Sequence, residues 1–398
     1  MSEAMSMPIG YQGLGLPYPV FFDPHYSILT NKPPVTLITG GPGSGKTYGS
    51  LLLAAYASVC GKTNFILDPK GDFLSLKILE DRGYIKDVSV WAIFDPKTGK
   101  VYEGNQGMLD PTCLYDDPGK NVNITIDAIK MMVGQMTDKQ NNAVTPLVRD
   151  VVRDPEKASF HEVVRVLKQS QDEEVRAIGI KLEVIFSLEQ SKLLAQPRKV
   201  VGGKQTEQEK ITLKRGATIV ASLLGLALPP ENKSSLNYNN EEKASIVIMW
   251  LLTSYVLDAM MKTPTNMLKT LIIDEAWVLF ATEVGRQMIN QVALLGRSKN
   301  MATILITQSP QHIEPKEGDA SLENTISTRI SFRNSNEDDN FATVKAMRLP
   351  ENEGWEREIP ELAVGQALMK DASNKIGFVR IIAPAEFDDA FNTNPLKK

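Results

Sequence analysis

The sequence is poor in cysteine and histidine. Its 398 residues include two cysteines and three histidines. Cys60 and Cys113 lie far apart without the spacing of metal ligands, so we interpret them as small buried side chains of a protein kept under reducing conditions. Because His25, His161 and His312 are equally scattered, the sequence predicts neither a metal site nor a catalytic triad from them.

The sequence also lacks a large excess of either positive or negative charge. Lysine and arginine number 44 against 48 aspartates and glutamates, and the net charge is −4. The molecule as a whole is therefore not predicted to bind nucleic acid around its surface by electrostatic attraction, although this charge balance still allows a local basic channel. With 42% hydrophobic and 23% charged residues, the chain has the composition of an ordinary globular protein.

The sequence has no clear export signal and no clear membrane anchor. Residues 1–15 lack the basic start and long apolar core of a signal peptide, so export is not predicted. The longest apolar stretch, residues 244–261, is interrupted by hydroxyl side chains and by Asp258. It is borderline for crossing a bilayer, which takes about 20 mostly apolar residues. We interpret it as a helix buried in the core, and no transmembrane segment is predicted.

The chain does contain a glycine-rich motif between a predicted strand, residues 35–39, and a predicted helix, residues 48–57. This is the context of a phosphate-binding loop, whose backbone N–H groups turn inward around a phosphate. A glycine-rich turn that caps a helix is the alternative, but it needs neither the lysine nor the threonine. The predicted nucleotide-binding residues are Gly40, Gly41, Pro42, Gly43, Ser44, Gly45, Lys46, Thr47 and Tyr48.

A second motif supplies two carboxylates. The apolar strand that includes Leu271 ends in Asp274 and Glu275. If this strand lies beside the strand of the glycine-rich loop, Asp274 and the Thr47 hydroxyl hold Mg²⁺, and Glu275 lies near the attacking water. ATP hydrolysis needs both tasks, and Lys46 can neutralise the outer phosphates. An acidic helix N-terminus after a buried strand is the alternative.

Two further polar residues are catalytic candidates. Gln308 follows the predicted strand 302–307 and can sense the terminal phosphate, although a glutamine that caps a loop fits as well. Arg297 ends the preceding helix and is expected to face outward from its own phosphate-binding loop, as suits an arginine finger that enters a neighbouring subunit. Arg329 and Arg333 compete for that role, and a plain surface salt bridge is an equal alternative for each.

For Asp68 and Asp72, a functional role and a purely structural role are equally open. The predicted buried strand 63–68 ends in Asp68, and Asp72 follows closely. Polar residues at the carboxyl end of a strand lie where ligands bind in open α/β sheets. A tight turn built by Pro69 and Gly71 explains the same residues without a ligand.

The alternation of apolar strands with amphipathic helices predicts an α/β protein with a mostly parallel central sheet flanked by helices. Helical periodicity dominates residues 118–194 and indicates an all-helical insertion. A polar, glycine-containing stretch, residues 196–210, is predicted to be an exposed and mobile loop. We therefore predict that the core is formed by residues 1–115 and 211–398 and is interrupted by an insertion at 116–210.

With these motifs in place, the chain resembles the FtsK/HerA superfamily of RecA-like P-loop ATPases, and most closely the VirB-four type, the ATPases of type IV secretion and conjugation. The resemblance implies a homo-hexamer with ATP and Mg²⁺ at subunit interfaces. It also implies a cytoplasmic motor, peripheral to the bacterial inner membrane and docked on other secretion components. The residues that carry it are Ile272, Ile273, Asp274, Glu275, Ala276 and Trp277, then Gly296 to Asn300, then Thr307 and Gln308.

Two departures leave other functions open. Members of that family usually carry a substantial amino-terminal domain, so we expect either an excised motor domain or a standalone relative. The run from Asp68 to Asp72 also resembles the coupling ATPases that select DNA for the same channel, so a DNA translocase with direct DNA contact is the alternative function. A nucleotide-gated structural subunit that hydrolyses little ATP is the third hypothesis.

Overall fold

The structure is a computed structural model, and its described residues fall into two compact units. The first lies within Met1–Trp91, Leu213–Ser222 and Met260–Lys398, and the second within Ala92–Thr212 and Leu223–Ala259. The described residues are 6–12, 18–154, 156–195, 200–201, 204–205, 213–231, 233–313, 322–350 and 353–391.

Eleven strands of the described residues form one sheet, and β6 and β7 form a separate two-stranded hairpin. The strands in chain order are β1 (Met7–Gln12), β2 (Tyr18–Phe22), β3 (Val35–Thr39), β4 (Thr63–Asp68), β5 (Val88–Ala92), β6 (Val200–Val201), β7 (Lys204–Gln205), β8 (Thr218–Ser222), β9 (Lys269–Ile273), β10 (Met301–Ile306), β11 (Thr328–Phe332), β12 (Gln366–Lys370) and β13 (Ile376–Ile381).

The large sheet has a parallel centre and an antiparallel side. Its order is β2-β1-β13-β12-β11-β3-β10-β9-β4-β8-β5. The strands from β11 to β8 run parallel to one another, whereas β12, β13, β1 and β2 are added in antiparallel pairs. All residues of β3, β4, β9, β10 and β11 are buried, as expected for parallel strands covered on both faces. The predicted α/β class with a mostly parallel sheet is confirmed.

The predicted neighbourhood of the acidic strand is wrong in one respect. β9, which leads into Asp274, does not pair with β3, because β10 lies between them. Ile306 of β10 pairs with Ile38 on one side, and Leu305 pairs with Ile273 on the other. The strand that leads to Gln308 therefore separates the phosphate-binding strand from the acidic strand.

The helices begin and end at recognisable signals. α2 follows Gly45 directly and buries Leu51 and Leu52 against the central strands. In the second unit, Thr137 and Gln140 form a reciprocal capping box at the start of α5. The helices are α1 (Tyr26–Leu29), α2 (Lys46–Val59), α3 (Leu76–Asp81), α4 (Pro118–Val133), α5 (Asp138–Arg153), α6 (Phe160–Lys168), α7 (Glu173–Phe186), α8 (Asn240–Lys262), α9 (Trp277–Phe280), α10 (Glu283–Gly296), α11 (Glu337–Met347), α12 (Trp355–Glu358) and α13 (Ala385–Asp388).

The long apolar stretch forms α8. Among the described helices, α8 alone is long and apolar enough to cross a membrane by length and composition, and 72% of its most apolar window is buried inside the protein. Within the second unit, Gln190 donates a hydrogen bond to the carbonyl of Glu241, and Lys120 lies 3.9 Å from Asp258. Burial of this kind agrees with its interpretation as a core helix.

The predicted insertion contains α4 to α7 and the short hairpin of β6 and β7. The compact second unit is larger than residues 116–210, because it also includes residues 92–115 and most of α8. The division at residues 115 and 210 therefore stays a prediction about domain boundaries. The predicted mobile loop, residues 196–210, lies outside the described residues except for the four residues of β6 and β7.

A buried polar cluster lies at the start of the parallel strands. Lys62 pairs with Asp23 at 2.6 Å, and the His25 ring nitrogen Nε2 donates to the carbonyl of Lys269 at 3.0 Å. Burial lowers the pKa of His25 below its ordinary value of 6.5. Burial acts to raise the pKa of Asp23, but hydrogen bonding to His25 and the charge of Lys62 hold it at about 2.

We expect His25 to make the fold sensitive to mild acid. The unfolded chain binds a proton at this residue near pH 6.5 whereas the folded chain resists it, so stability is present above that pH and is lost as the pH falls. One such group contributes up to about 1.4 kcal/mol per pH unit. When the pH is lowered from 7.5 to 5.5, the free energy of unfolding measured with urea should therefore fall less in His25→Gln than in the wild type. The exposed His161→Gln is the control, and equal losses in His25→Gln and wild type would contradict the prediction.

Candidate active site

The glycine-rich loop connects β3 to α2 and is braced by the ends of neighbouring strands. The Gly40 N–H donates to the carbonyl of Gln308 at 3.1 Å, and the Gly41 N–H donates to that of Arg333 at 2.8 Å. On the other side, the Gly365 N–H donates to the carbonyl of Ser44 at 3.0 Å. These contacts fix the loop at the carboxyl edge of the parallel strands, where open α/β sheets bind ligands.

Two glycines of the loop are required by its conformation. Gly40 has a φ of 149° and Gly45 has a φ of 106°, values that favour glycine strongly. A Cβ on Gly40 would lie 2.7 Å from the Cβ of Phe332, and one on Gly45 would lie 3.0 Å from the nitrogen of Gly365. Gly40 therefore excludes a side chain on grounds of φ and of space, and a side chain at Gly45 would be strained by its φ and tightly packed.

The functional side chains of the loop begin α2. The Lys46 ammonium donates to the carbonyl oxygens of Gly40 and Gly41, the latter at 3.2 Å, so it lies over the loop itself. The Thr47 hydroxyl donates to Oδ2 of Asp72 at 3.4 Å. Because the N-terminus of the 14-residue helix α2 presents free N–H groups at the same place, this loop can hold a phosphate.

The side chain of Tyr48, a predicted nucleotide-binding residue, contacts the C-terminal segment. Its hydroxyl donates to Asp388 at 2.7 Å and accepts a hydrogen bond from the N–H of Ala383 at 2.9 Å. Its ring packs edge-on against Phe391. The side chain is therefore engaged with the C-terminal segment, so a contact between Tyr48 and a nucleotide would be made by its main chain.

The acidic motif turns sharply at the end of β9. The Asp274 N–H donates to the carbonyl of Leu67 on the adjacent strand β4. Burial, with Glu275 beside it, raises the pKa of Asp274 to about 7. A divalent cation beside Asp274 would offset the repulsion between the Asp274 and Glu275 carboxylates. The Asp274 carboxylate and the Thr47 hydroxyl both offer oxygen atoms, which are the ligands that Mg²⁺ prefers. Asp274 and Thr47 are thus the residues that would hold this ion.

Glu275 is held in an unusual conformation. Its φ is 54°, a left-handed value that is uncommon outside glycine, and such outliers cluster at functional sites. The residue is 6% exposed, and the Oε2 of its side chain accepts a hydrogen bond from the indole Nε1 of Trp277 at 2.7 Å. Its other oxygen, Oε1, forms an ion pair with the Lys70 ammonium. The carboxylate therefore has a fixed direction.

Lys70 is a site residue that the sequence reasoning missed. It lies in the turn that follows β4, and the charges of Glu275, Asp274 and Asp72 all act on it. The available signal was its position: a single lysine between two aspartates at the carboxyl end of a strand. Nothing local to that turn indicates that its partner comes from the end of β9.

The two aspartates of this turn differ in their surroundings. Both carboxylate oxygens of Asp68 accept backbone N–H groups, from Gly71 at 2.7 Å, Asp72 at 3.1 Å and Phe73 at 2.9 Å. Burial raises the pKa of Asp68 to about 6 although these donors act to lower it. Asp68 therefore builds the tight turn, whereas Asp72 contacts Thr47.

Gln308 lies where the strand order places it, between the glycine-rich loop and the acidic turn. Its main-chain carbonyl accepts the Gly40 N–H, and its side chain is half-buried. The preceding Thr307 hydroxyl lies 2.8 Å from Nδ1 of His312, whose ring is 6.1 Å from that of Trp277. Residues of three strand ends thus meet at one edge of the sheet.

The three candidate arginines lie in different places. Arg297 precedes β10 and donates to the carbonyl of Asn31, which precedes β3, so it lies at the edge opposite the glycine-rich loop. Arg329 is buried within β11 and donates to the carbonyl of Ile326. Arg333 follows β11, and its carbonyl accepts the Gly41 N–H. The fold therefore brings Arg333, but not Arg297, to the loop of its own chain.

A glycine-rich loop with lysine and threonine, a buried pair of acids two strands away, and a glutamine on the strand between them define a P-loop nucleoside triphosphatase. A family model described as AAA-like domain matches residues 28–392. The chain belongs to that family, and this class of P-loop ATPase was predicted from the sequence.

Comparisons with individual proteins agree on the fold. VirB4 of Thermoanaerobacter pseudethanolicus has 15% sequence identity and a TM-score of 0.72, and the match covers 97% of this chain and 98% of that one. The bacterial conjugative coupling protein TrwBdeltaN70 has 14% identity and a TM-score of 0.55, covering 95% and 90%. The uncharacterized protein YddE of Bacillus subtilis (strain 168) is 22% identical over 352 residues, 85% of this chain. The chain spans 40% of the length of that curated relative.

Proposed function

We propose that this chain is an ATP-hydrolysing motor that powers the assembly of, or substrate transfer through, a type IV secretion or conjugation apparatus. The observation that carries the proposal is the meeting of the P-loop, the acidic turn and Gln308 at one edge of the sheet. The match to VirB4 across nearly all of both chains supports the choice of apparatus.

The positions of the groups at this edge of the sheet support the roles proposed for them. The loop N–H groups and Lys46 hold the phosphates, and Thr47 and Asp274 are the residues that would hold a magnesium ion. When bound, Mg²⁺ supplies charge that neutralises the phosphate oxygens. Glu275 orients the attacking water and accepts its proton. Gln308 contacts the terminal phosphate or that water.

The proposed assembly is a homo-hexamer in which Arg297 completes the site of a neighbouring subunit. At the edge opposite its own P-loop, Arg297 cannot reach the nucleotide of its own chain, so a catalytic role needs a second copy. The proposed location is the cytoplasmic face of the bacterial inner membrane, where the motor would contact other secretion components.

We expect the ATPase rate per chain to rise steeply with protein concentration, because a site completed by a neighbour forms only in the assembly. Phosphate release should be measured over a hundredfold range of concentration, with the oligomeric state followed by light scattering. A measurable rate that stays constant while the chain remains monomeric would contradict a site shared between subunits.

A DNA translocase or coupling protein is the second candidate, favoured by the fold similarity to TrwBdeltaN70. That function requires contacts with DNA phosphates, which weaken steeply as salt rises. The same assay with and without DNA at low salt separates the two functions. Stimulation by DNA that disappears at high salt would support the translocase, and indifference to DNA would support the secretion motor.

A further inference from the structure

The proposed general base is occupied by two donors. Oε2 of Glu275 accepts the Trp277 indole N–H at 2.7 Å, and Oε1 forms the ion pair with Lys70. While Oε1 is paired with the Lys70 ammonium, the attacking water must compete with that ammonium for the oxygen. The left-handed backbone of Glu275 and its 6% exposure leave the side chain little room to turn away.

The two donors differ in their freedom to move. Trp277 is 3% exposed and follows Glu275 closely in the same turn, so its hydrogen bond is fixed by local structure. Lys70 arrives from another strand end, and its side chain is 51% exposed. A lysine stem has four rotatable carbons and an ammonium that can exchange partners. Lys70 is therefore the donor that can leave.

The position of Lys70 also gives it a second anionic partner. It lies two residues before Asp72, whose carboxylate accepts the Thr47 hydroxyl of the P-loop. Phosphate oxygens held by that loop would thus lie near the turn that carries Lys70. A terminal phosphate offers more negative charge and more acceptors than one carboxylate, and a divalent cation beside Asp274 would repel the ammonium.

We propose that Lys70 gates the general base: it holds Glu275 in the ion pair and transfers to the terminal phosphate when a nucleoside triphosphate binds, which frees Oε1 for the attacking water. This inference rests on the proposed nucleotide site. It assigns Lys70 a positioning role that acts through Glu275, and it makes release of the base depend on the phosphate that is to be cleaved.

The chain contains a matched pair that lacks these features. Lys77 pairs with Glu80, and its side chain is 49% exposed, close to the value for Lys70. That pair lies between residues of one short helix, away from the acidic turn. Lys77→Met therefore controls for the loss of one half-exposed, ion-paired lysine.

Trp277 provides the readout, because its indole is bonded to the carboxylate that the gate releases. Its emission is obtained as the difference between each form and the same form carrying Trp277→Phe. The full chain should change this emission with Mg²⁺ and ATPγS but not with Mg²⁺ and ADP. Lys70→Met should lose the response, whereas Lys70→Arg and Lys77→Met should keep it. Calorimetric titration of each form measures nucleotide binding separately, and circular dichroism checks folding.

The outcomes distinguish the gate from the nucleotide site. Binding of ATPγS without an emission change, an equal change with ADP, or an unaltered response in Lys70→Met would each overturn the gate while leaving the proposed function in place. Absence of ATPγS binding in every form would overturn the proposed function and the gate together. Loss of the response in Lys77→Met as well would show that the emission change depends on net charge and not on Lys70, and would also overturn the gate.

Discussion

Glu275→Gln is expected to bind Mg²⁺ and ATP but to lose roughly 10²- to 10⁴-fold in turnover, the range that a general base contributes. The amide keeps an oxygen that can accept the Trp277 N–H, and its size matches the carboxylate, so the left-handed turn should persist. It cannot take a proton from water at neutral pH. Binding and chemistry should therefore separate in this variant.

The measurements are single-turnover phosphate release and calorimetric titration with ATPγS. Glu80→Gln is the matched control, because Glu80 also pairs with a lysine but lies outside the site. Retention of wild-type hydrolysis by Glu275→Gln would remove the proposed base and leave the assignment of the acidic motif wrong. Loss of binding and turnover together would instead assign Glu275 a role in building the site.

The parts of the fold that the sequence predicted are those set by local pattern. The P-loop is contiguous, so glycine content, Lys46 and Thr47 predict strand, turn and helix without knowledge of the rest of the chain. The buried strands β4, β9 and β10 are short apolar runs that end at polar residues, and their bounds agree with the prediction within about two residues. Periodicity of 3.6 likewise indicated the inserted helices.

The parts that the sequence could not predict depend on which strands are neighbours. The apolar patterns of β9 and β10 are alike, so they do not tell which one pairs with β3. The contact between Lys70 and Glu275 joins two turns about 200 residues apart, and it follows only from the pairing of β4 with β9. The engagement of Tyr48 with Asp388 is non-local in the same way.

Lys46→Ala is expected to weaken ATP binding by roughly 10- to 150-fold, which corresponds to the 1.5–3 kcal/mol of a hydrogen bond to a charged group. Hydrolysis should be abolished, because no other cation of the loop replaces the ammonium at the outer phosphates. Its present acceptors are the main-chain carbonyls of Gly40 and Gly41, and both of these hydrogen bonds are only partly buried. Folding should therefore be preserved. Lys46→Arg separates charge from shape, and wild-type affinity in Lys46→Ala would contradict the phosphate role.

Lys46→Ala is most informative when it is mixed with Arg297→Ala, because Lys46 and Arg297 lie at opposite edges of the same sheet. If Arg297 serves the site of a neighbour, each variant alone is inactive, but a mixture forms interfaces with an intact P-loop from Arg297→Ala and an intact arginine from Lys46→Ala. Activity of the mixture should then rise well above that of either chain. Arg333→Ala in place of Arg297→Ala is the matched test, since Arg333 lies beside the P-loop of its own chain and its loss cannot be supplied by a partner in this way. Rescue in mixtures with Arg333→Ala but not with Arg297→Ala would assign the arginine finger to Arg333. The interface of the hexamer would then have to join other edges of the sheet than the two proposed for Arg297.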